Sequence, residues 1–342
     1  MNRKYFITFI FACIFGISNA GFDEEYAKQM VNFAAASFIA PKTKNNVDLA
    51  NQCFEKSFPD GEWEKPEQYS RDSCAGFFSD ECQLVIARSQ KLNMVVIAFR
   101  GTIGKDQMNH EADASMKDYT PWTYNTSFGK VNTYFFNAAE AMWEDKVETY
   151  LNKYKGYKIA FTGHSLGGAI ASLTALKARH LGLADVDKVS LYTFGEPRIG
   201  DSDVAKNFRD LVKESYRVVH YSDLVPHLPL CDGIFSDSCK DKAGHPYHQP
   251  QEIWYYNTDL TMDNSKYKIC DANNGEDPNC SNGLSLLEFS KNIGTDHGAD
   301  LHLHYYDHKL DEYGPKGCNS AVKFGLSFIA LTFLFIFNFI KH

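Results

Sequence analysis

The sequence predicts an α/β fold with a mostly parallel central sheet and helices on both faces. Apolar, strand-like runs alternate along the chain with segments of helical periodicity, an order typical of parallel strands joined by helical crossovers. A chain of 342 residues with 44% apolar composition can bury a large core. Eight cysteines follow residue 20, which predicts that disulfides brace the fold. We therefore expect one large, disulfide-stapled domain over residues 21–318.

The first twenty residues differ in character from this domain. A basic start at Arg3 and Lys4 is followed by the apolar run Tyr5–Ile17 and by small polar residues that end at Ala20. This order is typical of a secretory signal peptide. A membrane anchor is the alternative, but the apolar run is short for a membrane span. Residues 1–20 are therefore expected to be a signal peptide.

The first half of the domain reads as a helix, a polar segment and a hairpin. Residues 21–40 carry apolar side chains at helical spacing, whereas Asn45–Ser73 is polar and predicts a loop-rich segment. Gln83–Arg88 and Asn93–Arg100 are β-rich runs that predict a hairpin. The polar stretch Ile103–Ser127 comes next. It predicts either a surface loop or a mobile lid over a site at the end of the second strand.

In the second half, strands and helices alternate. Helices are predicted over about 131–154 and 201–213, and a further helix begins directly after Ser165. The segments predicted as strands are 159–161, Lys188–Phe194, Ser215–Tyr221, Glu252–Asn257 and Lys266–Asp271. This alternation is the basis for expecting a mostly parallel sheet.

One strand runs into its helix through a serine flanked by glycines. Gly163, Ser165 and Gly167 form a G-x-S-x-G pattern between an apolar run and a helix rich in small residues. This is the context of a nucleophile elbow, a strained turn that exposes a serine hydroxyl. Bulk two residues before or after the serine would prevent the turn, and the following helix N-terminus favours developing negative charge. The pattern predicts that Ser165 is a nucleophile.

A nucleophilic serine needs a general base, and the base needs a carboxylate that holds its tautomer. In α/β-hydrolases the acid and then the histidine follow the serine. Asp223 lies just past a predicted strand and is the candidate acid, a solvated turn aspartate being the alternative. His302 and His304 are the candidate bases. An H-x-H pair also occurs in zinc sites, but no ligand set at suitable spacing completes one, so we expect no metal and no cofactor.

These motifs together resemble the class 3 (fungal-type) triacylglycerol lipase family, and in particular its secreted animal branch. The strings that carry the resemblance span most of the domain and are, in order, AFRGT (Ala98–Thr102), GKVNTYFFNAAEAMW (Gly129–Trp143), TGHSLGGAIASL (Thr162–Leu173), YTFGEPRIGD (Tyr192–Asp201), RVVHYSDLVPHLP (Arg217–Pro229) and HLHYY (His302–Tyr306). The resemblance implies the α/β-hydrolase fold and the cleavage of acylglycerols.

The resemblance also implies a role for each matching position. Ser165 would be the nucleophile, Asp223 the acid and His302 the base. The oxyanion hole would consist of the hydroxyl and backbone N–H of Thr102 and the backbone N–H of Leu166. Such preorganised donors stabilise the charge that develops on the attacked carbonyl oxygen.

The chain departs from the family's pattern at the histidine. The family usually has Asp-His-Leu there, whereas Leu301 precedes His302 in this chain. His304 is therefore an alternative base. Of the remaining motif residues, His164 is expected to pack within the elbow, and Arg100 is expected to pair with a carboxylate near its strand end.

The cysteines after residue 20 allow several pairings, and spacing alone does not fix the connectivity. Three pairs are close in sequence and would staple local loops: Cys74 with Cys82, Cys231 with Cys239, and Cys270 with Cys280. Cys53 would then be left to pair with Cys318. The resemblance independently implies the Cys53–Cys318 bridge. Asn125 and Asn279 begin N-glycosylation sequons, although a bridged Cys280 would put the second in doubt.

The chain ends in a strongly apolar run. Phe324–Ile340 contains one asparagine in 17 residues and is followed only by Lys341 and His342. Either it spans a membrane at near-minimal length, or it is the removable tail of a glycolipid-anchor signal with an attachment residue near Asn319. In both cases residues 319–342 are expected to tether the domain to the outer face of a membrane.

Charge and motifs together limit the function. The net charge of −8 and the lack of a basic run make a nucleic-acid surface improbable. We expect a secreted or surface-tethered serine ester hydrolase whose partners are an acylglycerol or other lipid ester and a lipid–water interface. A phospholipase or a small-ester esterase is the alternative within this class, since the lid segment Lys105–Asp118 is largely polar. A catalytically silent surface binding protein with the same fold is the alternative outside it.

Overall fold

The computed structural model describes residues 21–41, 44–76, 80–103, 118–231, 239, 241–258, 260, 262, 267–292 and 295–319. The predicted signal peptide, most of the predicted lid (104–117) and the tail from residue 320 lie outside the described residues. The helices are α1 (Glu24–Ala36), α2 (Lys44–Ser57), α3 (Thr133–Met142), α4 (Glu148–Lys153), α5 (Leu166–His180), α6 (Ser202–Leu211), α7 (Leu286–Asn292), α8 (Asp296–Leu303) and α9 (Leu310–Tyr313).

Fourteen strands are described. In chain order they are β1 (Glu67–Asp72), β2 (Glu81–Ser89), β3 (Met94–Phe99), β4 (Tyr119–Pro121), β5 (Lys130–Asn132), β6 (Lys158–His164), β7 (Val189–Phe194), β8 (Gly200–Asp201), β9 (Glu214–His220), β10 (Pro246–Tyr247), β11 (Glu252–Tyr255), β12 (Tyr267–Ile269), β13 (His304–Tyr305) and β14 (His308–Lys309).

An eight-stranded sheet in the order β1-β2-β3-β6-β7-β9-β11-β12 organises the fold. The five strands from β3 to β11 pair in parallel, and antiparallel strands flank them on both sides. The prediction of a mostly parallel sheet is therefore confirmed. Because the carboxyl ends of parallel strands meet at one edge, the residues that follow β3, β6, β7 and β9 come together there.

Alternate side chains of the central strands enter two separate cores. On β3, Val95 and Ile97 pack in the core that contains α3 and α5, whereas Val96 and Ala98 pack in the core that contains α1 and α2. This alternation follows from the two-residue period of a strand. It confirms the predicted placement of helices on both faces.

The prediction of a loop-rich segment over Asn45–Ser73 is wrong. The segment contains helix α2 and the edge strand β1. Cys53 and Phe54 of α2 are fully buried, and the Phe54 ring stacks on Phe33 of α1 with 5.0 Å between ring centroids. The remaining positions are mostly polar and face outward. The overall composition of the segment is therefore polar, although the helix buries a narrow apolar stripe.

Four disulfides brace the domain, and all four pairings suggested by the sequence are present. Three of these disulfides each close a short loop. The fourth joins Cys53 of α2 to Cys318 over a sequence separation of 265 residues, and so ties the last described residues to the N-terminal helices. In the described part of the chain, none of the helices combines the length and apolar character that a membrane span requires.

Candidate active site

The turn between β6 and α5 places Ser165 at the carboxyl edge of the sheet. Ser165 has φ 56° and ψ −129°, the strained backbone that the motif predicts. A Cβ atom on Gly163 would lie 2.2 Å from the backbone oxygen of Gly167, and one on Gly167 would lie 2.2 Å from the backbone oxygen of Phe99. The two glycines of the motif are therefore required by close backbone approach.

Asp223 lies in the turn that follows β9, two strands from β6 in the sheet. Its backbone N–H donates to the oxygen of His220 at 2.9 Å, and its carboxylate accepts a hydrogen bond from the backbone N–H of Val225 at 3.0 Å. The side chain is completely buried. These bonds fix a carboxylate that points away from solvent.

A buried ion pair holds the chain just after this acid. Arg198 and Glu276 pair through two hydrogen bonds of 2.7 and 2.8 Å, and both side chains are almost fully buried. Arg198 also donates to the backbone oxygens of His227 and Pro229. Because bidentate Arg–carboxylate pairs are geometrically specific, this pair fixes the loop that carries Asp223.

His302 joins the serine to the acid. It lies in the last turn of α8. Its Nε2 atom is 2.9 Å from the Oγ atom of Ser165, and its Nδ1 atom is 2.9 and 3.0 Å from the two carboxylate oxygens of Asp223. Ser165, Asp223 and His302 are at most 7% exposed. The structure thus brings together three side chains that the sequence places far apart.

The protonation pattern follows from these contacts. An ionised carboxylate can only accept, so Nδ1 of His302 carries the proton and Nε2 presents a lone pair to the serine hydroxyl. Burial alone would raise the pKa of Asp223. The positive charge that His302 carries when it is protonated, together with the hydrogen bonds that Asp223 accepts, outweighs burial and holds that pKa below its usual range. A hydroxyl, a basic nitrogen and an ionised acid in this order can activate the serine as a nucleophile.

His304, the alternative base, does not join this group. Its Nδ1 atom is 2.8 Å from the backbone oxygen of Asp300, and burial lowers the pKa of its imidazole. His304 begins β13 and pairs with Lys309 across that short hairpin. Its backbone oxygen instead accepts a hydrogen bond from the buried imidazole of His220 at 2.9 Å.

Two neighbours of the acid were missed in the sequence. The hydroxyl of Tyr305 donates to the carboxylate of Asp223 at 2.8 Å. Gly195, which follows β7 with φ +61°, has no room for a side chain: an added Cβ would lie 2.9 Å from an Asp223 oxygen and 3.0 Å from Cε1 of His302. Tyr305 lies in the string HLHYY and Gly195 in the string YTFGEPRIGD, but neither string indicates which residue faces the acid.

The expected oxyanion residues lie at the same edge of the sheet. Thr102 follows β3, the strand beside β6. Leu166 is the first residue of α5, so its backbone N–H is among the four that lack an intrahelical acceptor. Arg100, which directly follows β3, pairs with Glu81 at 2.9 Å, as expected from the sequence.

Two groups of side chains in the described chain have metal-like spacing. One contains Cys231, Cys239 and Glu276, and the other contains Cys270, Cys280 and Glu252. In both groups the two cysteines form a disulfide. A cysteine binds a metal only as a free thiolate. With its cysteines bridged, each group therefore offers only one carboxylate as a ligand.

Comparisons with known proteins identify relatives over most of the chain. Residues 96–233 match the family described as Lipase (class 3). A lipase of Caenorhabditis elegans is 30% identical over 324 residues, which cover 91% of this chain and 86% of the relative. A secreted mono- and diacylglycerol lipase A of Penicillium camembertii is 27% identical over 206 residues, which cover 59% of this chain and 61% of the relative.

Solved structures share the architecture. The triacylglyceride lipase of Rhizomucor miehei superimposes with a TM-score of 0.61 at 22% identity, over 83% of this chain and 95% of that chain. A triacylglycerol lipase described as having a serine protease triad at its catalytic centre gives a TM-score of 0.62 at 22% identity, over 84% of this chain and 96% of that chain. At this identity the likeness confirms the predicted α/β-hydrolase fold.

Proposed function

Because the chain belongs to the class 3 lipase family and is a carboxylic ester hydrolase, we propose that it cleaves acylglycerols with Ser165 as nucleophile, His302 as general base and Asp223 as the acid that orients the base. The observation that carries this proposal is the bridge that His302 forms between Ser165 and Asp223, with 2.9 Å on each side. These distances lie within the reach required for proton transfer.

The proposed reaction passes through an acyl-enzyme. Ser165 Oγ attacks the ester carbonyl carbon while its proton moves to Nε2 of His302, and the resulting oxyanion accepts hydrogen bonds from Thr102 and from the Leu166 N–H. The intermediate collapses, the C–O bond to the glycerol moiety breaks, and His302 returns the proton to the leaving alcohol. Water then attacks the acyl-serine with the same base, releasing the fatty acid and free Ser165.

The relatives favour glycerides as the substrate class. The fungal relatives are named as lipases, and three of them are named as mono- and diacylglycerol lipases. The proposed step needs only an ester carbonyl, so the choice among acylglycerols, phospholipids and small esters depends on how the substrate is presented at the edge of the sheet.

The proposed site of action is extracellular, either in solution or on a cell surface. The predicted signal peptide, the predicted tail and four disulfides all favour an oxidising compartment. Of the two sequons, Asn125 lies in an exposed turn. By contrast, Ser281 of the Asn279 sequon is buried and Cys280 between them is bridged, which favours Asn125 as the glycan acceptor.

A lipid-hydrolysis screen on the secreted protein tests this function. Tributyrin is measured below and above its solubility limit and triolein as an emulsion, with phosphatidylcholine vesicles in parallel and the Ser165→Ala variant as the matched control. We expect glyceride hydrolysis that disappears in the variant. Hydrolysis of phospholipid alone would indicate a phospholipase, and hydrolysis of dissolved short-chain esters alone an esterase. A folded protein that hydrolyses none of these would be the silent binding protein.

A further inference from the structure

A second imidazole lies against the proposed base. His164 immediately precedes Ser165, and its ring centroid is 4.5 Å from that of His302, with 36° between the ring planes. Its Nε2 atom is 2.7 Å from the backbone oxygen of His302, 138 positions away in the chain. The side chain is 2% exposed. The residue beside the nucleophile therefore contacts the backbone of the base.

The acceptor fixes the tautomer of His164. A carbonyl oxygen can only accept, so Nε2 carries the proton and Nδ1 is bare. Burial, and next the neighbouring charge of His302, lower the pKa of His164 to about 3, so this ring stays neutral near pH 7. A neutral ring can lie against His302 without opposing the positive charge that His302 acquires when it takes the serine proton. Gly101 packs closely on the Nδ1 side of the ring, since a Cβ added to Gly101 would lie 3.2 Å from Nδ1.

The hydrogen bond from His164 to His302 supplies a donor for one of the last backbone oxygens of α8. The last carbonyls of a helix lack intrahelical donors and need partners elsewhere. The oxygen of Asp300 accepts from the backbone N–H of His304, and that of Leu301 lies 3.2 Å from Nδ1 of His220 at the end of β9. The oxygen of His302 accepts from His164 at the end of β6. Imidazoles from two sheet strands thus hold the turn that carries the base.

We propose that His164 is a positioning residue, whose Nε2–H fixes the backbone of His302 and thereby keeps the base aimed at the serine hydroxyl. This inference rests on the proposed function of Ser165 and His302. It goes beyond the expected packing role of His164, because packing requires only the volume of the ring, whereas positioning requires a donor at the place of Nε2.

Two amide variants separate these roles. The side-chain amide of His164→Gln reaches about as far as Nε2, whereas that of His164→Asn is one methylene shorter and falls near Nδ1. Thr162→Val is the control, because it also removes a buried hydrogen bond from β6. The Thr162 hydroxyl donates to the backbone oxygen of Tyr192 at 2.8 Å and does not bond to His302. The measurements are kcat and KM on dissolved p-nitrophenyl butyrate, expressed per site titrated with a fluorophosphonate, together with Tm.

We expect His164→Asn to lower kcat about 10- to 100-fold, because small errors in the placement of reacting groups have effects of this size, with KM changed less than about twofold. His164→Gln should recover most of the loss. Thr162→Val should lower Tm and leave kcat per titrated site unchanged. Equal kcat values for the Asn and Gln variants, or a kcat loss in Thr162→Val as large as in His164→Asn, would overturn the inference. A wild-type protein that neither turns over nor labels would instead overturn the proposed function.

Discussion

The Nε2 atom of His302 lies 2.9 Å from the Oγ atom of Ser165, although 137 positions separate the two residues. Ser165 follows β6, and α8 brings His302 back to the carboxyl edge of the same sheet. Asp223, after β9, holds the far side of the imidazole ring. The proposed chemistry therefore depends on how firmly the surrounding residues keep this one contact.

The two histidines of the H-x-H pair should differ sharply on substitution. His302→Ala removes the imidazole that is hydrogen-bonded to Ser165 and should lower kcat by about 10⁴-fold or more, as loss of a base in a serine triad does. His304→Ala removes a ring that contacts a backbone oxygen and should retain most of the activity. Steady-state kinetics of both variants check this. The reverse order of effects would assign the base to His304.

Tyr305 and Tyr306 offer a matched test of the acid's environment. The Tyr305 hydroxyl donates to Asp223, whereas the Tyr306 hydroxyl pairs with that of Tyr255 at 3.0 Å. Hydrogen bonds to charged groups contribute about 1.5–3 kcal/mol, so Tyr305→Phe should lower kcat about tenfold or more. Tyr306→Phe loses a neutral bond and should lower Tm while sparing kcat. The comparison is made on one soluble ester, and equal kcat values for the two variants would remove Tyr305 from the site.

Gly195 should tolerate no side chain. Gly195→Ala places a methyl group within 3.0 Å of Asp223, the Tyr305 hydroxyl and His302. Gly182 has nearly the same backbone, with φ +66° against +61°, but open space around it, so Gly182→Ala matches the backbone strain of about 1 kcal/mol without the collision. We expect similar small losses of Tm from strain in both variants, with a further loss of Tm and of fluorophosphonate labelling rate only for Gly195→Ala. Indistinguishable variants would contradict the crowding around the acid.

The stability of the fold should decrease as pH falls below about 6.5. Burial lowers the pKa of His227 to about 3 and that of His308 to about 4. The unfolded chain protonates its histidines near pH 6.5, so between pH 6.5 and 4 it binds more protons than the folded chain. The free energy of unfolding therefore decreases as the pH is lowered through this range.

His308→Phe isolates one contribution to this slope. The substitution retains a ring that can stack on Tyr313, where the centroids are now 3.7 Å apart, and removes the titrating group. The decrease in Tm between pH 7 and pH 5 should become smaller by about 2 °C, measured by scanning fluorimetry. An unchanged decrease would show that His308 does not contribute.

Much of the sheet was predictable because its strands are buried on both faces. The run that became β3 is continuous in apolar residues, as buried parallel strands are, and the runs that became β6, β7 and β9 contain the shorter apolar stretches IAF, LY and VV. The G-x-S-x-G turn was predictable because backbone contact requires its glycines. Helix α2 was not predicted, because only a narrow stripe around Cys53 and Phe54 is buried and the rest of the segment has the composition of a loop.

The surroundings of the site were less predictable. Tyr305 and Tyr306 are adjacent and chemically identical, yet they reach Asp223 and Tyr255 respectively. Tyr305 ends β13, whereas Tyr306 has φ +49° in the turn that follows, so the two side chains leave the backbone in different directions. His164 was expected only to pack. Its hydrogen bond to the backbone of His302 depends on where the last turn of α8 meets the elbow, which no local pattern specifies.

Covalent labelling with a fluorophosphonate tests the central proposal most directly. The probe reacts with a serine only when a base activates it and an oxyanion hole accepts the developing charge. Intact-protein and peptide mass spectrometry of the folded, secreted protein should show one adduct, on Ser165, that is lost in Ser165→Ala and formed far more slowly in His302→Ala. An unlabelled folded protein, or an adduct on another serine, would contradict the assignment of Ser165 and His302.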